Sequence, residues 1–215
     1  MHTGDIAQVL EIERQSFPTM WPPTAYKREL EQNRLAHYLV TVERNGEPAS
    51  ESGSPYYGQH PGAFGRLFGE LRHILGNEDG ERPLLPPEQR AELITGVIGV
   101  WLLADEAHIV TIAVRESHRR QGIAELLLIR AIELAQAKEQ QLVTLECRVS
   151  NAPALALYDK YGFEKVGLRP RYYSDNHEDA YVLSLNSVLS RRFTERFEAL
   201  KAEHEERLGA FDIEG

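Results

Sequence analysis

The chain has little cysteine and no long apolar run, and these two shortages limit the classes of protein to which it can belong. Its 215 residues include one cysteine, Cys147, so no disulfide can form within the chain. A lone thiol fits a reducing compartment. No window approaches the roughly 18 apolar residues that a membrane-spanning helix needs, and the charged N-terminal stretch is unlike a signal peptide. We therefore predict a cytoplasmic protein with no membrane attachment.

Basic residues are also scarce. Lys and Arg total 24 against 33 Asp and Glu, which gives a formal net charge of −9 and a pI near 5.4. Because nucleic-acid binding needs a basic face, we predict no nucleic-acid partner. The eight histidines are not spaced as metal ligands with carboxylates or cysteines, so we predict no metal site. No serine or cysteine lies in a nucleophile-elbow context.

The apolar pattern predicts one α/β domain, and 215 residues are enough for it. Alternating or β-branched runs predict strands at residues 37–42, 92–101, 109–114, 142–149, 165–168 and 180–185. Helical spacing predicts helices at 6–17, 23–30, 123–138 and 152–161, and a last amphipathic helix within 187–208. Packing on the domain's own flank is the default for this last helix, and binding of a partner protein is the alternative.

Residues 47–90 interrupt this pattern with a stretch rich in Gly, Pro, Ser and charge. A connection of this length inside a compact domain is usually functional or disordered. Helical spacing within it predicts one amphipathic helix through Phe64, Leu67, Phe68, Leu71, Ile74 and Leu75. The insertion could be a lid over a functional site, a dimer contact or a partly disordered tether.

The stretch after residues 109–114 has the features of an anion site. Arg119-Arg120-Gln121-Gly122-Ile123-Ala124 leads from the strand into a helix, whose first backbone N–H groups lack intrahelical partners. A glycine there would let a pyrophosphate approach the main chain, and the small Ala124 would leave the channel open. The alternative is a tight junction with no ligand. In either case we expect Glu125 on the solvent side of the helix.

Three separated motifs resemble one family. Arg119-x-x-Gly122-x-Ala124 matches the Q/R-x-x-G-x-G/A signature of the GNAT superfamily of N-acetyltransferases. The stretches IERQSFPTMWPPTAYKREL (residues 12–30) and TLECRVSNAPALALYDKYGF (residues 144–163) resemble its ribosomal-protein-alanine N-acetyltransferase group. The similarity covers roughly residues 5–46 and 92–186.

The resemblance implies an α/β domain of the GNAT-type acyl-CoA N-acyltransferase fold, with a mixed, bent central sheet flanked by helices. This single domain would span residues 1–186, with an insertion at about 47–90, and a C-terminal helical extension would follow at 187–215. The oligomeric state is open.

The implied activity is transfer of the acetyl group of acetyl-CoA to the α-amine of a protein N-terminus, in particular the N-terminal alanine of a ribosomal protein. A GNAT enzyme acting on a small-molecule amine and a non-catalytic acetyl-CoA-binding module stay open as alternatives.

The resemblance also assigns two catalytic residues. Glu146 matches the position of the family's proton acceptor, although the residues alone favour a cross-strand ion pair. Tyr158 matches the proton donor to the leaving thiolate, although it also fits an apolar helix stripe. Cys147 is expected to be a small buried hydrophobe rather than a nucleophile.

The remaining site residues are binding residues. The main chain of Ile112, Ala113 and Val114 would pair with the pantetheine amides, and Asn151 would bond the pantetheine arm, cap the following helix, or both. The pyrophosphate would contact Arg119, Arg120, Gln121, Gly122, Ile123, Ala124 and Glu125. The expected acceptor contacts are Met20, Trp21, Tyr172 and Tyr173. Met20 and Trp21 could equally be loop anchors.

Overall fold

The computed structural model describes residues 1–19, 21–44, 70–72, 92–209 and 213–214. Numbered in chain order, its helices are α1 (Ile6–Ser16), α2 (Pro23–Gln32), α3 (Ile123–Ala137), α4 (Ala152–Tyr161) and α5 (Arg191–Leu208). Its strands are β1 (Ala36–Arg44), β2 (Glu70–Arg72), β3 (Glu92–Leu102), β4 (Glu106–Val114), β5 (Leu142–Arg148), β6 (Glu164–Arg169), β7 (Ala180–Asn186) and β8 (Ile213–Glu214). The helices and strands predicted outside the insertion are all found.

Local sequence explains where the helices begin and end. The Asn151 side chain accepts a hydrogen bond from the Ala154 N–H (3.3 Å) and caps α4. Gly162, with φ 89°, takes the left-handed conformation that ends this helix. The Ser190 hydroxyl caps α5 by accepting from the Phe193 N–H (3.3 Å). These caps satisfy backbone donors and acceptors that would otherwise lack partners.

The strands form one mixed sheet in the order β6-β7-β5-β4-β3-β1-β2-β8. Two pairs, β4 with β5 and β2 with β8, are parallel, and the other pairs are antiparallel. Six longer strands make up most of the sheet, and the short β2 and β8 extend one edge. The predicted mixed sheet flanked by helices is thus confirmed.

Helices cover both faces of this sheet. On one face α3, α4 and α5 pack into a large apolar cluster that includes Leu127, Ile132 and Phe197. On the other face α1 and α2 bury Val9 and Tyr26 against β1 and β3. The C-terminal helix therefore packs on the flank of its own chain.

The amphipathic helix predicted within residues 64–75 is wrong at three positions. Glu70–Arg72 form β2 instead, and Val40 of β1 lies opposite Arg72. The outer edge of β1 offers unpaired main-chain groups, which attract an extended segment. The other residues of the predicted helix, and most of the insertion, lie outside the described residues. Within the described part of the chain, no helix is long and apolar enough to cross a membrane.

Candidate active site

The middle of the sheet opens between β4 and β5. Their parallel pairing ends at Ile109 and Leu145, although both strands continue. A bulge in β4 falls at the same place, because Gly99 lies opposite Thr111 while Val100 lies opposite Ile109, which leaves Val110 between them. A bulge bends its strand and increases the local twist. Beyond Ile109, the edge of β4 that faces β5 is therefore available to a ligand laid alongside it.

This edge contains the residues predicted to pair with pantetheine, Ile112, Ala113 and Val114. Ala113 is buried, and the other two are partly buried against the core. The Val114 carbonyl accepts a hydrogen bond from Arg119 Nε (3.2 Å). An extended chain with amides, such as pantetheine, fits an unpaired strand edge of this kind.

Glu146 projects from β5 next to this opening and contacts an imidazole and a guanidinium group. Its carboxylate oxygens lie 3.3 Å from His108 Nε2 and 2.9 Å from Arg169 Nη2, and its side chain is 8% exposed. The contact with His108 lowers the pKa of Glu146 more than burial raises it. The same contact raises the pKa of His108 against the opposing effect of burial. The pair is therefore a carboxylate with an imidazole that gains a proton readily.

His108 is also held from its other side. Its Nδ1 lies 2.8 Å from the Thr144 hydroxyl, which in turn contacts Glu106. The ring thus links Glu106 and Thr144 to Glu146. Contacts at both nitrogens fix its orientation, and this is a requirement for directed proton transfer.

Tyr158 lies on the opposite face of β5 from Glu146. Side chains alternate along a strand, so Cys147 points toward α4 and joins Tyr158 in the apolar cluster. Tyr158 is 4% exposed and packs on Phe163 with a ring-centroid distance of 5.5 Å. Burial raises the pKa of Tyr158, so the phenol keeps its proton. Cys147 is buried as predicted, and burial raises the pKa of its thiol to about 11.

The loop before α3 has the backbone form of an anion site. Arg120 (φ 65°) and Gly122 (φ 79°) are both left-handed, and Gly122 is the N-cap residue of α3. A left-handed arginine is strained by about 1–2 kcal/mol, and strain of this kind concentrates at functional sites. Left-handed residues that alternate with residues of other backbone conformation turn successive backbone N–H groups toward one point. The N-terminus of a helix does the same.

Two side chains of this region and the surroundings of Gly122 differ from expectation. The Arg119 guanidinium is tied to α1, where Nη2 donates to the Gln15 carbonyl (2.7 Å) and to Ser16 Oγ (3.2 Å). Glu125 is buried, 8% exposed, instead of solvated. A Cβ on Gly122 would lie 2.1 Å from Leu208 Cδ1, so α5 fills the space that we expected the ligand to use. These corrections leave the main chain of residues 119–125 as the candidate phosphate contact.

Three further residues were predicted to contact the pyrophosphate, namely Gln121, Ile123 and Ala124. Gln121 Nε2 donates to the Ser117 carbonyl (3.3 Å), which ties the loop to the turn before it. Ile123, the first residue of α3, is buried, and Ala124 is partly buried. Asn151 caps α4, as the sequence allowed.

The three aromatic side chains predicted to contact the acceptor differ in exposure and in their partners. Tyr172 is 44% exposed, and the Arg169 guanidinium lies 5.4 Å from its ring. Tyr173 lies under Arg148, whose guanidinium carbon is 3.8 Å from the ring centroid. Trp21 is 37% exposed and packs on Tyr26 at 5.7 Å. Trp21 and Tyr172 are thus open to an acceptor, and Tyr173 supports its loop.

Met20, the fourth predicted acceptor contact, lies outside the described residues. No group of three or more His, Cys, Asp or Glu in the described ranges is arranged to hold a metal ion.

His108 and Arg169 were missed by the sequence analysis. His108 lies opposite Thr144 in the parallel pair, two residues before Glu146, so strand alternation places it on the Glu146 face. That alternation was the available signal. Arg169 lies on β6, and β7 separates this strand from β5 in the sheet. No local sequence pattern therefore predicts its contact with Glu146.

A family model described as the acetyltransferase (GNAT) family matches residues 53–163. The chain belongs to this GNAT acetyltransferase family. It is therefore an acetyltransferase that depends on acetyl-CoA, and the strand opening and the loop before α3 suit that donor.

Similar proteins of known name cover most of the chain. A Bacillus subtilis protein, provisionally named a ribosomal protein bS18-alanine N-acetyltransferase, is 31% identical over 183 residues, which are 85% of this chain and 90% of that protein. An N-alpha-acetyltransferase from Saccharolobus solfataricus is 43% identical over 181 residues, covering 84% of this chain and 86% of its own.

Solved structures support the fold. The ribosomal-protein-S18-alanine N-acetyltransferase from Escherichia coli superposes with a TM-score of 0.55 at 21% identity, covering 87% of this chain and 90% of that one. Ard1 from Thermoplasma volcanium superposes with a TM-score of 0.56 at 20% identity, over 86% and 93% of the two chains.

Proposed function

We propose that this GNAT enzyme acetylates the α-amine of protein N-termini, and that its acceptor is the N-terminal alanine of a ribosomal protein. The observation that carries the proposal is the Glu146–His108 pair beside the strand opening. Arg169, which contacts Glu146, lies beside the exposed ring of Tyr172, so an acceptor could contact this ring close to the pair. The names of the Bacillus subtilis and Saccharolobus solfataricus relatives support the same class of acceptor.

The proposed chemistry needs a free amine, because an ammonium group cannot attack a thioester. An α-ammonium has a pKa of about 8, so loss of its proton near neutral pH requires only a modest base. Glu146 and His108 would take this proton together, directly or through one water molecule. The amine nitrogen would then bond to the acetyl carbon, and it would release its second proton to solvent as the amide forms. A proton from solvent would later restore the group that protonates the leaving thiolate.

Breakage of the carbon–sulfur bond releases coenzyme A as a thiolate, which needs a proton. Tyr158 would supply it from the opposite face of β5, since burial keeps its phenol protonated. The acceptor and the leaving thiolate would thus meet proton-transferring groups on the two faces of one strand. Ile112, Ala113 and Val114, together with residues 119–125 and Asn151, would hold the donor.

The acceptor class is tested with acetyl-CoA and a panel of peptides that differ at the first residue, beside small amines and polyamines. We expect selective acetylation of peptides that begin with Ala, and loss of this activity in Glu146→Gln. Acetylation of the small amines alone would overturn the protein acceptor. Binding of acetyl-CoA without turnover on any acceptor would favour a binding module.

The formal charge of −9 supports a basic acceptor, such as a ribosomal-protein tail. Opposite charges steer encounter, so kcat/KM for a Lys-rich peptide should fall as salt increases, while that for a neutral peptide should change less. Equal salt dependence would contradict the ribosomal assignment. A ribosomal acceptor also places the enzyme in the cytoplasm.

A further inference from the structure

The last turn of α5 lies against the loop before α3. Leu208 packs on Gly122, where an added Cβ would lie 2.1 Å from Leu208 Cδ1 and 3.1 Å from His204 Cε1. Gly122 begins α3, so the C-terminal end of one helix touches the N-terminal end of the other. A segment beyond the family core therefore forms one side of the candidate phosphate loop.

A carboxylate lies at this contact, where it would oppose phosphate binding. Glu125 is the third residue of α3, in the turn whose N–H groups would hold the pyrophosphate. A negative charge at a helix N-terminus uses the same positive potential that a phosphate needs. An uncompensated Glu125 would thus repel the phosphates of acetyl-CoA.

Cations from the neighbouring helices surround this carboxylate. Arg207 Nη2 lies 2.6 Å from Glu125 Oε2, and Lys160 Nζ lies 2.9 Å from Oε1. The Tyr161 hydroxyl donates to Oε1 at 3.0 Å. Lys160 also pairs with Glu203 at 2.9 Å, so its charge is shared between two carboxylates. His204 Nδ1 lies farther away, 3.4 Å from Oε2. Of these basic groups, Arg207 makes the shortest contact with Glu125.

We propose that Arg207 is a positioning residue for acetyl-CoA, because it neutralises Glu125 at the turn that receives the pyrophosphate. The C-terminal helix thereby sets the affinity for the donor. This inference rests on the proposed placement of the pyrophosphate at residues 119–125.

The ionisation of Glu125 fits this role. Burial acts to raise the pKa of Glu125, but hydrogen bonds from His204, Lys160, Tyr161 and Arg207 outweigh it and hold the pKa below its ordinary value. Glu125 stays ionised near neutral pH, so its charge has to be balanced by cations and not by a proton.

The test compares two acetyl donors in Arg207→Gln. Acetyl-CoA carries the phosphates, and acetyl-pantetheine lacks them. We expect KM for acetyl-CoA to rise about tenfold with little change in kcat, which is the scale of one charge-assisted contact. KM for acetyl-pantetheine should not change. Arg191→Gln, which removes a 92% exposed arginine at the other end of α5, is the matched control and should leave both values unchanged.

A second variant tests whether Arg207 acts through Glu125. In Glu125→Gln/Arg207→Gln the repelling charge is absent, so KM for acetyl-CoA should return to within about threefold of the wild type. Three results would overturn the proposal. They are an unchanged or lower KM in Arg207→Gln, an equal rise for both donors, and a double variant as weak as Arg207→Gln.

Ala124→Asp separates this inference from the placement of the phosphates. An acid at the second position of α3 favours the helix N-terminus, so the variant should fold, but it should repel phosphates bound there. A raised KM for acetyl-CoA in Ala124→Asp without any effect of Arg207→Gln would overturn the role of Arg207 alone. If KM for acetyl-CoA is unchanged in Ala124→Asp, the phosphates do not bind at residues 119–125. The inference about Arg207 then fails together with this placement.

Discussion

Two regions of the molecule contain nearly the same types of residue and differ in how far solvent can reach them. At the strand opening, Glu146 contacts His108 and Arg169. Under α5, Glu125 contacts His204 and Arg207. Both carboxylates are almost equally buried, with 8% and 9% of the side chain exposed, and hydrogen bonds lower the pKa of both.

The two histidines reveal the difference. His108 is 22% exposed at the opening, whereas His204 is 1% exposed beneath its helix. A substrate can reach the first set, and the second is closed by packing. A carboxylate held by an arginine and a histidine is therefore not a sign of catalysis by itself, because access decides what the group can do.

The largest expected effect is a loss of kcat when the carboxylate of Glu146, and not that of Glu125, is replaced. Glu146→Gln keeps the shape but removes the base, so kcat should fall about 10³-fold, within the range for loss of general-base catalysis. The KM for acetyl-CoA should change little. Steady-state kinetics with an Ala-starting peptide measures both. Glu195→Gln, at a 64% exposed position on α5, is the control. A kcat within tenfold of the wild type in Glu146→Gln would contradict its catalytic role.

Tyr158→Phe tests the opposite face of β5. The variant keeps the packing on Phe163 but loses the proton donor, so kcat should fall about 10²-fold while Tm changes by only a few degrees. A single-turnover assay, with enzyme in excess of the peptide and acetyl-CoA at saturation, would show the loss in the acetyl-transfer step. Full activity in a folded variant would leave Tyr158 as a core residue only.

His108→Asn tests the proton-accepting pair through pH. Neutral imidazole accepts a proton, so wild-type kcat/KM should rise with pH through the pKa of His108, which Glu146 raises above the ordinary 6.5. In the variant this rise of kcat/KM through the pKa of His108 should disappear, and kcat near pH 7 should fall about tenfold. If the rise persists at the same pH, another group is responsible for it.

Glu125→Gln should weaken the fold more than the chemistry. Loss of its charged contacts should cost about 2 kcal/mol near pH 7, measured by urea unfolding. The pKa of Glu125 is lower in the folded protein, so its contribution is present above the unfolded value near 4.5 and is lost as pH falls toward the folded pKa. The difference from wild type should therefore shrink below about pH 4. A constant difference across this range would contradict the charge-based explanation.

Much of the fold could be read from local patterns. Helical spacing marked α1 to α5, and Asn151 and Gly162 marked the ends of α4, because capping depends on neighbours in the sequence. The three residues of β2 were mistaken for helix, since their strand form depends on the edge of β1, which is distant in sequence.

The candidate site was only partly accessible to the same reasoning. Motif resemblance selected Glu146, Tyr158 and the loop at residues 119–125. The Arg119 side chain was assigned to the donor but is used by Gln15 and Ser16, more than 100 positions away in the chain. Such contacts leave no local pattern.

By itself the sequence determined the order of helices and strands, the family motifs and the negative charge, because these depend on residue type and spacing along the chain. Tertiary structure alone decided which carboxylate faces an opening and which lies under a helix. Glu125 looked like a solvated residue on α3 until α5 packed beside it, and His108 gained its partner only when β4 and β5 were paired. Burial and charge pairing arise between segments that are distant in sequence, so the function of each carboxylate follows from the fold around it.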